Sequence, residues 1–134
     1  MAFGTFDNLH PGHLSYLSQA GVFGDELIAI VARDKNVLKI KKHLPQEGEE
    51  TRRQKVEEAL KELGIKGRVI LGNSVDRWQL VKELRPDVIC LGYDQQVDLE
   101  ALEQFIANER FFCEIKRLTA HHPEKYKSSL MRVK

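Results

Sequence analysis

The sequence predicts an α/β domain with a mostly parallel, five-stranded sheet. Apolar runs of strand length alternate strictly with segments whose apolar residues recur at helical spacing, a pattern typical of parallel sheets covered by helices. The run LIAIVAR at 27–33 is rich in β-branched residues, as expected for a strand that is buried on both faces. The length of 134 residues predicts one domain, 1–134, with a single core.

The first half of the chain supplies two strands and two helices. FGTF is a short strand, HLSYLSQA has its apolar residues at helical spacing, and LIAIVAR is the second strand. A polar, lysine-rich stretch at 35–49 contains a proline and a glycine and is interpreted as a loop. Residues 51–63 place four apolar side chains on one helix face, and Gly64 suits the left-handed position that ends a helix.

The second half continues the alternation. RVIL is a strand, VDRWQLVKEL a helix ended by Pro86, DVICLG a strand and LEALEQFIANE a helix. FFCEIKRL is the last predicted strand, and the tail is expected to become helical near Ser128. In such sheets, ligands bind beyond the carboxyl ends of the strands, where the strand order reverses.

The charge balance excludes two broad classes of partner. Twenty-one basic and 20 acidic residues give a net charge of +1, so we expect neither general nucleic-acid binding nor membrane binding. No apolar run approaches the roughly 20 residues of a membrane span, and no signal peptide is recognisable. Cys90 and Cys113 lack metal-ligand spacing and are expected to be free, buried thiols in the cytoplasm.

The stretch GTFDNLHPGH, from Gly4 to His13, carries the chemistry. A strand that ends in a glycine turn and enters a helix through Pro11-Gly12 predicts an anion site at the helix N-terminus. Gly4 would let the backbone approach a phosphate, and Gly12 would leave a passage for a base or phosphate. His10 and His13 would direct ring N–H donors at the same mouth, which suits an oxyanion that gains charge in a transition state. A helix cap with a solvated histidine, or a metal pair without further ligands nearby, are the alternatives.

GTFDNLHPGH resembles the signature of the H-x-G-H nucleotidyltransferases, which include cytidylyltransferases and adenylyltransferases, and the resemblance covers essentially the whole chain. It implies the nucleotidylyl transferase fold, a Rossmann-like three-layer sandwich. It further implies that His10 and His13 bind the α-phosphate of a nucleoside triphosphate and stabilise its pentacovalent transition state. The nucleotide-binding residues implied by the resemblance and by the turn are Gly4, Thr5, Phe6, His10, Gly12, His13, Asp94, Ser128, Ser129 and Arg132.

The C-terminal stretch KSSLMR is similar to the family's second motif, S-S-T-x-I-R or S-T-T-K-I-K. The resemblance implies that Ser128 and Ser129 begin a helix and that Arg132 holds the β- and γ-phosphates, with Lys127 departing from the pattern. The stretch NVLKIKKHLP resembles the basic loop that folds over the triphosphate, with Lys41 as the catalytic candidate and Lys42 beside it. A solvated charged loop is the alternative.

Three further stretches are most similar to the archaeal-type FAD synthases: VARDKNV, CLGYDQ and the C-terminal YKSS. This resemblance implies an FMN adenylyltransferase whose acceptor-binding residues are Asp34, Arg53 and Tyr93, with Arg52 as an alternative to Arg53. The R-T-E-G-I-S-T-T stretch of glycerol-3-phosphate cytidylyltransferases is replaced by HHPEKYKSS, which disfavours that alternative without excluding it. A degenerate, regulatory nucleotide-binding domain is the non-enzymatic alternative.

The implied reaction needs few groups. A phosphate monoester attacks the α-phosphorus in line without a general base, and pyrophosphate leaves from the opposite side. The implied partners are ATP or CTP, a phosphate-bearing acceptor such as FMN, and a second copy of the chain in a homodimer. A divalent metal, Mg²⁺, is expected on the phosphates, with Asp7 and Asp94 as possible contacts; Asp7 could equally hold the turn. Phe6, Tyr93 and Tyr126 are candidates to line an apolar slot for the isoalloxazine ring.

Overall fold

The chain adopts a three-layer α/β fold in a computed structural model that describes residues 1–73, 78–93, 95 and 97–120. The strands are β1 (Ala2–Gly4), β2 (Leu27–Val31), β3 (Gly67–Leu71), β4 (Val88–Leu91) and β5 (Glu114–Arg117). The helices are α1 (Pro11–Gly21), α2 (Asp34–Lys41), α3 (Glu49–Glu62), α4 (Gln79–Leu84) and α5 (Leu99–Glu109). The predicted alternation of five strands with helices is confirmed.

The sheet has the order β3-β2-β1-β4-β5, and every pair of neighbouring strands is parallel. The chain builds outward from β1 to β3 on one side and then crosses to β4 and β5 on the other. The point at which the strand order reverses therefore lies between β1 and β4, where Ala2 pairs with Cys90. In open sheets of this kind the crevice for ligands opens at the carboxyl ends of the strands next to that point.

The two faces of the sheet are covered by different apolar layers. One core includes Leu17 of α1 and Val56 and Leu60 of α3, packed on alternate side chains of β1 and β2. The other includes Leu102 and Ile106 of α5, packed on the opposite face. Because strand side chains alternate between faces, both faces of the central strands are apolar, which explains the continuous apolar run of the second strand.

The lysine-rich stretch after β2 differs from the prediction of a loop. Residues 34–41 form α2, which buries Val37 and ends at Lys42 with φ 67° in the left-handed region. Val37 is the one side chain of this helix that is buried, whereas the apolar Leu38 and Ile40 are exposed. The apolar residues of the stretch therefore do not mark a single core-facing stripe, and the lysines, proline and glycine around them favoured a loop.

Several predicted boundaries also change. β5 is limited to Glu114–Arg117, the residues that pair with β4, although the apolar pattern extends further on both sides. α4 begins at Gln79, and the start of the predicted helix VDRWQLVKEL lies outside the described residues. Gly64 has φ +71°, which confirms the predicted left-handed residue after α3.

Both cysteines are free thiols, Cys90 buried and Cys113 half-buried. Burial raises the pKa of both, to about 11 for Cys113. Among the helices that the structure describes, none combines the length and the apolar character needed to cross a membrane.

Candidate active site

A cavity of about 1060 Å³ opens at the carboxyl end of the sheet, over the point where the strand order reverses. Its walls come from the loop after β1, the start of α1, the outer part of α2 and the segments that follow β3 and β4. The predicted site residues that line it are Gly4, Thr5, Phe6, His10, Gly12, His13, Lys41 and Tyr93. The fold therefore brings the motif that follows β1 and the lysine of α2 to one site.

His10 and His13 form a reciprocal cap at the start of α1. His10 is the N-cap residue in extended conformation, and its Nδ1 accepts the N–H of Gly12 at 3.1 Å. The Nδ1 of His13 accepts the N–H of His10 at 3.3 Å. Because the Nδ1 atom of each ring accepts a hydrogen bond, each ring carries its proton on Nε2.

The two imidazole rings are stacked, with centroids 3.8 Å apart and planes inclined by 22°. Burial, the neighbouring His10 and the charge of Lys41 lower the pKa of His13 from 6.5 to about 4. His13 is consequently a neutral Nε2–H donor at physiological pH. The cap uses Nδ1 of each ring, so it is compatible with the predicted role of the same histidines as Nε2–H donors.

The backbone donors of this helix start are engaged within the protein. Pro11 has no N–H, Gly12 donates to the ring of His10, and His13 donates to the carbonyl of His10 at 2.9 Å. The N–H groups of Gly12 and His13 are therefore not free to bind a ligand at the anion site that was predicted for this helix N-terminus. The donors that remain at the cavity are the imidazole Nε2–H groups, supported by the positive end of the helix dipole.

The two glycines of the motif make room for aromatic rings of the same motif. A Cβ at Gly4 would lie 2.8 Å from the ring of Phe6, and a Cβ at Gly12 would lie 2.8 Å from Cε1 of His10. Phe6 is buried, adopts φ 54°, and meets the His13 ring edge to face with centroids 5.5 Å apart. Gly4 and Gly12 thus allow Phe6 and His10 to fold back over the backbone and hold the stacked pair in place.

Lys41 lies at the end of α2 and lines the same cavity, with its charge close enough to the histidine pair to lower the pKa of His13. Asn36 of α2 also lines the cavity and donates from its side chain to the carbonyl of Asn73 at 3.1 Å. This bond ties the segment after β3 to α2. The basic stretch is therefore presented by a helix, and the position of its lysine is fixed by that helix.

Asp7 holds the loop after β1 to the segment before α3. Its carboxylate oxygens accept the backbone N–H groups of Gln46 at 2.8 Å and Glu47 at 3.0 Å. Partial burial by itself raises the pKa of Asp7, but these two donors and the charges of Arg52 and Lys41 outweigh it and lower that pKa. Of the two expectations for Asp7, a metal contact and a turn-holding group, these hydrogen bonds favour the second.

Two of the three predicted acceptor-binding residues lie away from the cavity wall. Asp34 forms an ion pair with Arg52, with Oδ1 2.7 Å from Nη2. Arg53 binds Glu50 and Glu57 along the surface of α3. The third, Tyr93, lies on the cavity wall with 59% of its surface exposed.

The remaining predicted site residues, Asp94, Ser128, Ser129 and Arg132, lie outside the described residues, as does Tyr126. Sequence reasoning missed several cavity residues, including Asn36, Asn73, Trp78 and Thr119. Asn36 and Asn73 follow the ends of β2 and β3, where parallel strands place ligand-binding side chains, so their position was a usable signal. Thr119 follows the end of β5 and carried the same signal, whereas Trp78 precedes α4 and had none.

Gln95 organises the segment that follows β4. Its side-chain amide donates to the carbonyl of Phe3 at 2.8 Å, and its Oε1 accepts the N–H of Gly92 at 2.7 Å. Arg117 donates to the carbonyls of Gly92 and Gln95 from the end of β5. Within the stretch CLGYDQ, the glutamine thus fixes the loop beside β1, at the reversal of strand order.

The arrangement suits a ligand with several negative charges. Two imidazole rings, the Lys41 ammonium and a helix N-terminus lie at one cavity, which also has apolar lining residues. No group of three or more histidine, cysteine, aspartate or glutamate side chains with the geometry of a metal site occurs among the residues that the structure describes. The chemistry available there is the binding and charge neutralisation of phosphate groups.

The sequence of the chain is similar to those of proteins with known functions. The sequence model of the cytidylyltransferase-like family matches residues 1–134. The chain is 44% identical over 119 residues to a FAD synthase of Archaeoglobus fulgidus, covering 88% of this chain and 82% of that protein. It is 43% identical over 118 residues to a FAD synthase of Methanosarcina barkeri, covering 88% and 81%. With a FAD synthase of Archaeoglobus profundus it shares 41% identity over 135 residues, covering 100% and 83%.

A solved structure shares the architecture. The crystal structure of the lipopolysaccharide core biosynthesis protein from Thermoplasma volcanium superposes with a TM-score of 0.81 at 36% sequence identity, covering 91% of this chain and 96% of that one.

Proposed function

Because the chain belongs to the cytidylyltransferase-like family and is a nucleotidyltransferase, we propose that it is an FMN adenylyltransferase that transfers AMP from ATP to FMN. The products are FAD and pyrophosphate. The observation that carries the proposal is the identity of 41–44% with FAD synthases over at least 88% of the chain. The cavity supports it because phosphate-binding groups and an apolar wall meet in one site.

The reaction is an in-line displacement at the α-phosphorus of ATP. A phosphate oxygen of FMN forms the new P–O bond, while the bond to the bridging oxygen of the β-phosphate breaks and pyrophosphate leaves with that electron pair. The FMN phosphate is already anionic, so no general base is required. His10 and His13 donate from Nε2 to the α-phosphate oxygens, whose charge is redistributed in the transition state.

Lys41 is the second part of the proposed phosphate-binding group that begins with His10 and His13, the phosphate grip. From the end of α2 its ammonium group, whose charge acts on His13, neutralises charge on the triphosphate. Ser128, Ser129 and Arg132 complete the grip on the β- and γ-phosphates in this proposal, and Gly4, Thr5, Gly12 and Asp94 contact the nucleotide. These assignments follow the resemblance of the two motifs to the family pattern.

The metal in this proposal is Mg²⁺, bound to the phosphates themselves. Magnesium keeps several waters and takes substrate phosphates as ligands more readily than an all-protein cage. Asp7, which lines the cavity, and Asp94 are the proposed protein contacts of this ion. When bound, the ion would neutralise charge on the leaving pyrophosphate.

The apolar end of the cavity accommodates the isoalloxazine ring in this proposal. Phe3, Trp78, Val97 and Leu102 line that end, on the side of the sheet covered by α4 and α5. Trp78 packs against Phe105 with ring centroids 5.4 Å apart, which gives the wall a rigid aromatic backing. Tyr93 lies at the rim, whereas Phe6 is buried behind His13 and serves the histidine pair.

The proposal also covers the domain organisation, the oligomeric state, the cellular compartment and the ligands of the enzyme. We propose a single domain over 1–134 that acts as a homodimer in the cytoplasm, with nucleotide and flavin rather than nucleic acid or membrane as partners. The near-neutral net charge of +1 supports small, locally bound anions as ligands. Tyr93 is the proposed acceptor-binding residue that lines the cavity. Asp34 and Arg53, the other two proposed acceptor-binding residues, form ion pairs with Arg52 and with Glu50 and Glu57.

A substrate panel tests the function. ATP and CTP are each combined with FMN, glycerol 3-phosphate, phosphocholine and phosphopantetheine, and pyrophosphate release is measured together with the nucleotide product. We expect turnover with ATP and FMN and the formation of FAD. A His10→Ala/His13→Ala double variant is the control that assigns the activity to this site. Turnover with CTP and glycerol 3-phosphate but none with FMN would refute the proposal in favour of a cytidylyltransferase.

A further inference from the structure

Arg52 is a charged side chain that is entirely buried in the described part of the fold, with 0% of its surface exposed. It belongs to the first turns of α3 and does not line the cavity. A guanidinium group offers five N–H donors in a rigid planar fork, and it is retained in an interior only when those donors are satisfied. The identity of its partners therefore shows what it contributes.

Three nitrogen atoms of Arg52 bind three different segments. Nη1 donates to the carbonyl of Thr5 at 2.7 Å, in the loop that leads from β1 to the histidines. Nη2 donates to Oδ1 of Asp34 at 2.7 Å, in the first turn of α2, the helix that ends at Lys41. Nε donates to the carbonyl of Glu47 at 2.9 Å, directly before α3.

Two of these segments, the loop after β1 and the segment before α3, are joined a second time through Asp7, which lines the cavity, and Asn8. Asp7 accepts the N–H groups of Gln46 and Glu47, and the N–H of Asn8 donates to the Glu47 carboxylate at 2.9 Å. Lys55 of α3 pairs with that carboxylate. The loop after β1 is thus bound to the segment before α3 both through Arg52 and through Asp7.

These bonds hold the loop in an unfavourable conformation. Phe6 and Asn8 have φ values of 54° and 51°, in the left-handed region that non-glycine residues seldom adopt. Such backbone persists when the surrounding structure over-determines it. The two residues flank Asp7 and precede His10, so the strain lies in the segment that sets where the histidine rings stand.

We propose that Arg52 is a positioning residue that fixes the distance between the histidine pair and Lys41, the two sides of the phosphate grip. It does so by tying the loop after β1 and the first turn of α2 to one rigid guanidinium plane on α3. The inference rests on the proposed function for its catalytic readout. Lysine cannot replace arginine here, because a single ammonium on a flexible stem does not span three fixed acceptors.

The test compares Arg52→Lys with the control Arg68→Lys, which changes an exposed arginine of β3 outside the cavity wall. We expect Arg52→Lys to lower kcat on the order of 10- to 100-fold with a smaller change in KM for ATP, since misplacement of reacting groups mainly affects the transition state. Circular dichroism melts establish that the variant is folded at the assay temperature. Loss of activity that merely follows the folded fraction would overturn the proposal.

A double-mutant cycle separates positioning from general support of the fold. In a Lys41→Ala background, Arg52→Lys should cost clearly less kcat than in the wild type, because one side of the grip is already gone. Equal costs in the two backgrounds would overturn the proposal. If Arg52→Lys fails to fold, Asp34→Asn replaces it, because this change removes the charge that pairs with Arg52. The double-mutant cycle with Lys41→Ala is then measured for Asp34→Asn.

An NMR readout is independent of the acceptor. The imidazole Cε1–H signals of His10 and His13 should shift in Arg52→Lys and remain in place in Arg68→Lys. Unmoved histidine signals contradict the positioning role, whatever the substrate. A wild-type protein that does not use FMN contradicts the proposed function alone, so the two failures are distinguishable.

Discussion

At the scale of single residues, each histidine of the motif uses its two ring nitrogens for different tasks. Nδ1 accepts a backbone N–H and fixes the ring, which leaves Nε2 as the proposed donor to substrate. The stacked arrangement, with centroids 3.8 Å apart, brings both donors to one place. A phosphate that gains charge there meets two oriented donors at no further cost in conformational entropy.

Removal of either ring should therefore affect turnover more than binding. We expect His10→Ala and His13→Ala each to lower kcat on the order of 100-fold or more, as for other preorganised oxyanion donors, with a much smaller change in ATP affinity. Steady-state kinetics and calorimetric titration with ATP measure the two quantities. His43→Ala, at an exposed histidine outside the cavity wall, is the matched control. Near-normal kcat in either variant would contradict the assignment.

The lowered pKa of His13 predicts a dependence of stability on pH. The folded protein resists protonation of His13 until about pH 4, whereas the unfolded chain takes up this proton near pH 6.5. The unfolded state thus binds more protons between these values, and the free energy of unfolding falls as the pH is lowered through this range. This contribution is absent above pH 6.5 and amounts to about 2 kcal/mol at pH 5.

Urea unfolding of the wild type and of His13→Gln at pH 7.5, 6 and 5 measures the effect. The wild type should lose stability relative to the variant as the pH falls, and His43→Gln should follow the wild type. Parallel curves for the wild type and His13→Gln would show that His13 titrates alike in the folded and unfolded states.

At the scale of elements, the start of α1 depends on the absence of a side chain at Gly12. A methyl group there would lie 2.8 Å from Cε1 and 3.0 Å from Nδ1 of His10, the atom that accepts the N–H of Gly12. The ring must then rotate away, and the stacked pair separates. The helix itself should tolerate the change, because alanine favours helix formation over glycine by about 1 kcal/mol.

Gly12→Ala should accordingly lower kcat at least about 10-fold while the melting temperature stays near that of the wild type. Gly24→Ala is the control, since the nearest atom to a Cβ at Gly24 is 3.9 Å away. Kinetics and thermal melts of the two variants provide the comparison. A Gly12→Ala enzyme with unchanged kcat would mean that the His10 ring does not need its observed place.

At the scale of the whole molecule, the order β3-β2-β1-β4-β5 places the proposed phosphate-binding groups at the point between β1 and β4 where the strand order reverses. The histidines and Phe6 lie over one apolar layer, whereas Trp78 and Leu102 belong to the other, so the cavity extends across the edge of the sheet. A substrate with a charged end and an apolar ring can therefore contact both layers at once.

The proposed homodimer gives a prediction at this scale. Light scattering at micromolar protein should give twice the chain mass of 15.4 kDa. Such a mass should persist on dilution to assay concentrations, as expected for an obligate interface. A mass near 15.4 kDa under both conditions would contradict the dimer and leave the monomer as the active form.

The amino-acid sequence alone determined the class of fold and the motif that lines the cavity. Apolar strands that alternate with helices specify a parallel sheet. The motif GTFDNLHPGH consists of adjacent residues, so the sheet and the motif can both be recognised from local sequence patterns. The left-handed Gly64 was likewise predictable, because the ending of a helix is a local matter.

Tertiary contacts settled the features that depend on distant residues. Arg52 and Arg53 are neighbours in the sequence, yet one binds Thr5, Asp34 and Glu47 in the interior and the other binds glutamates on the surface. Their helical positions differ by about 100°, and only the packing of α3 on the sheet decides which one is buried. Packing was also decisive for α2, whose buried residue is Val37, and for Trp78, which lines the cavity. Burial is a property of the assembled layers, so a short stretch of sequence does not determine it.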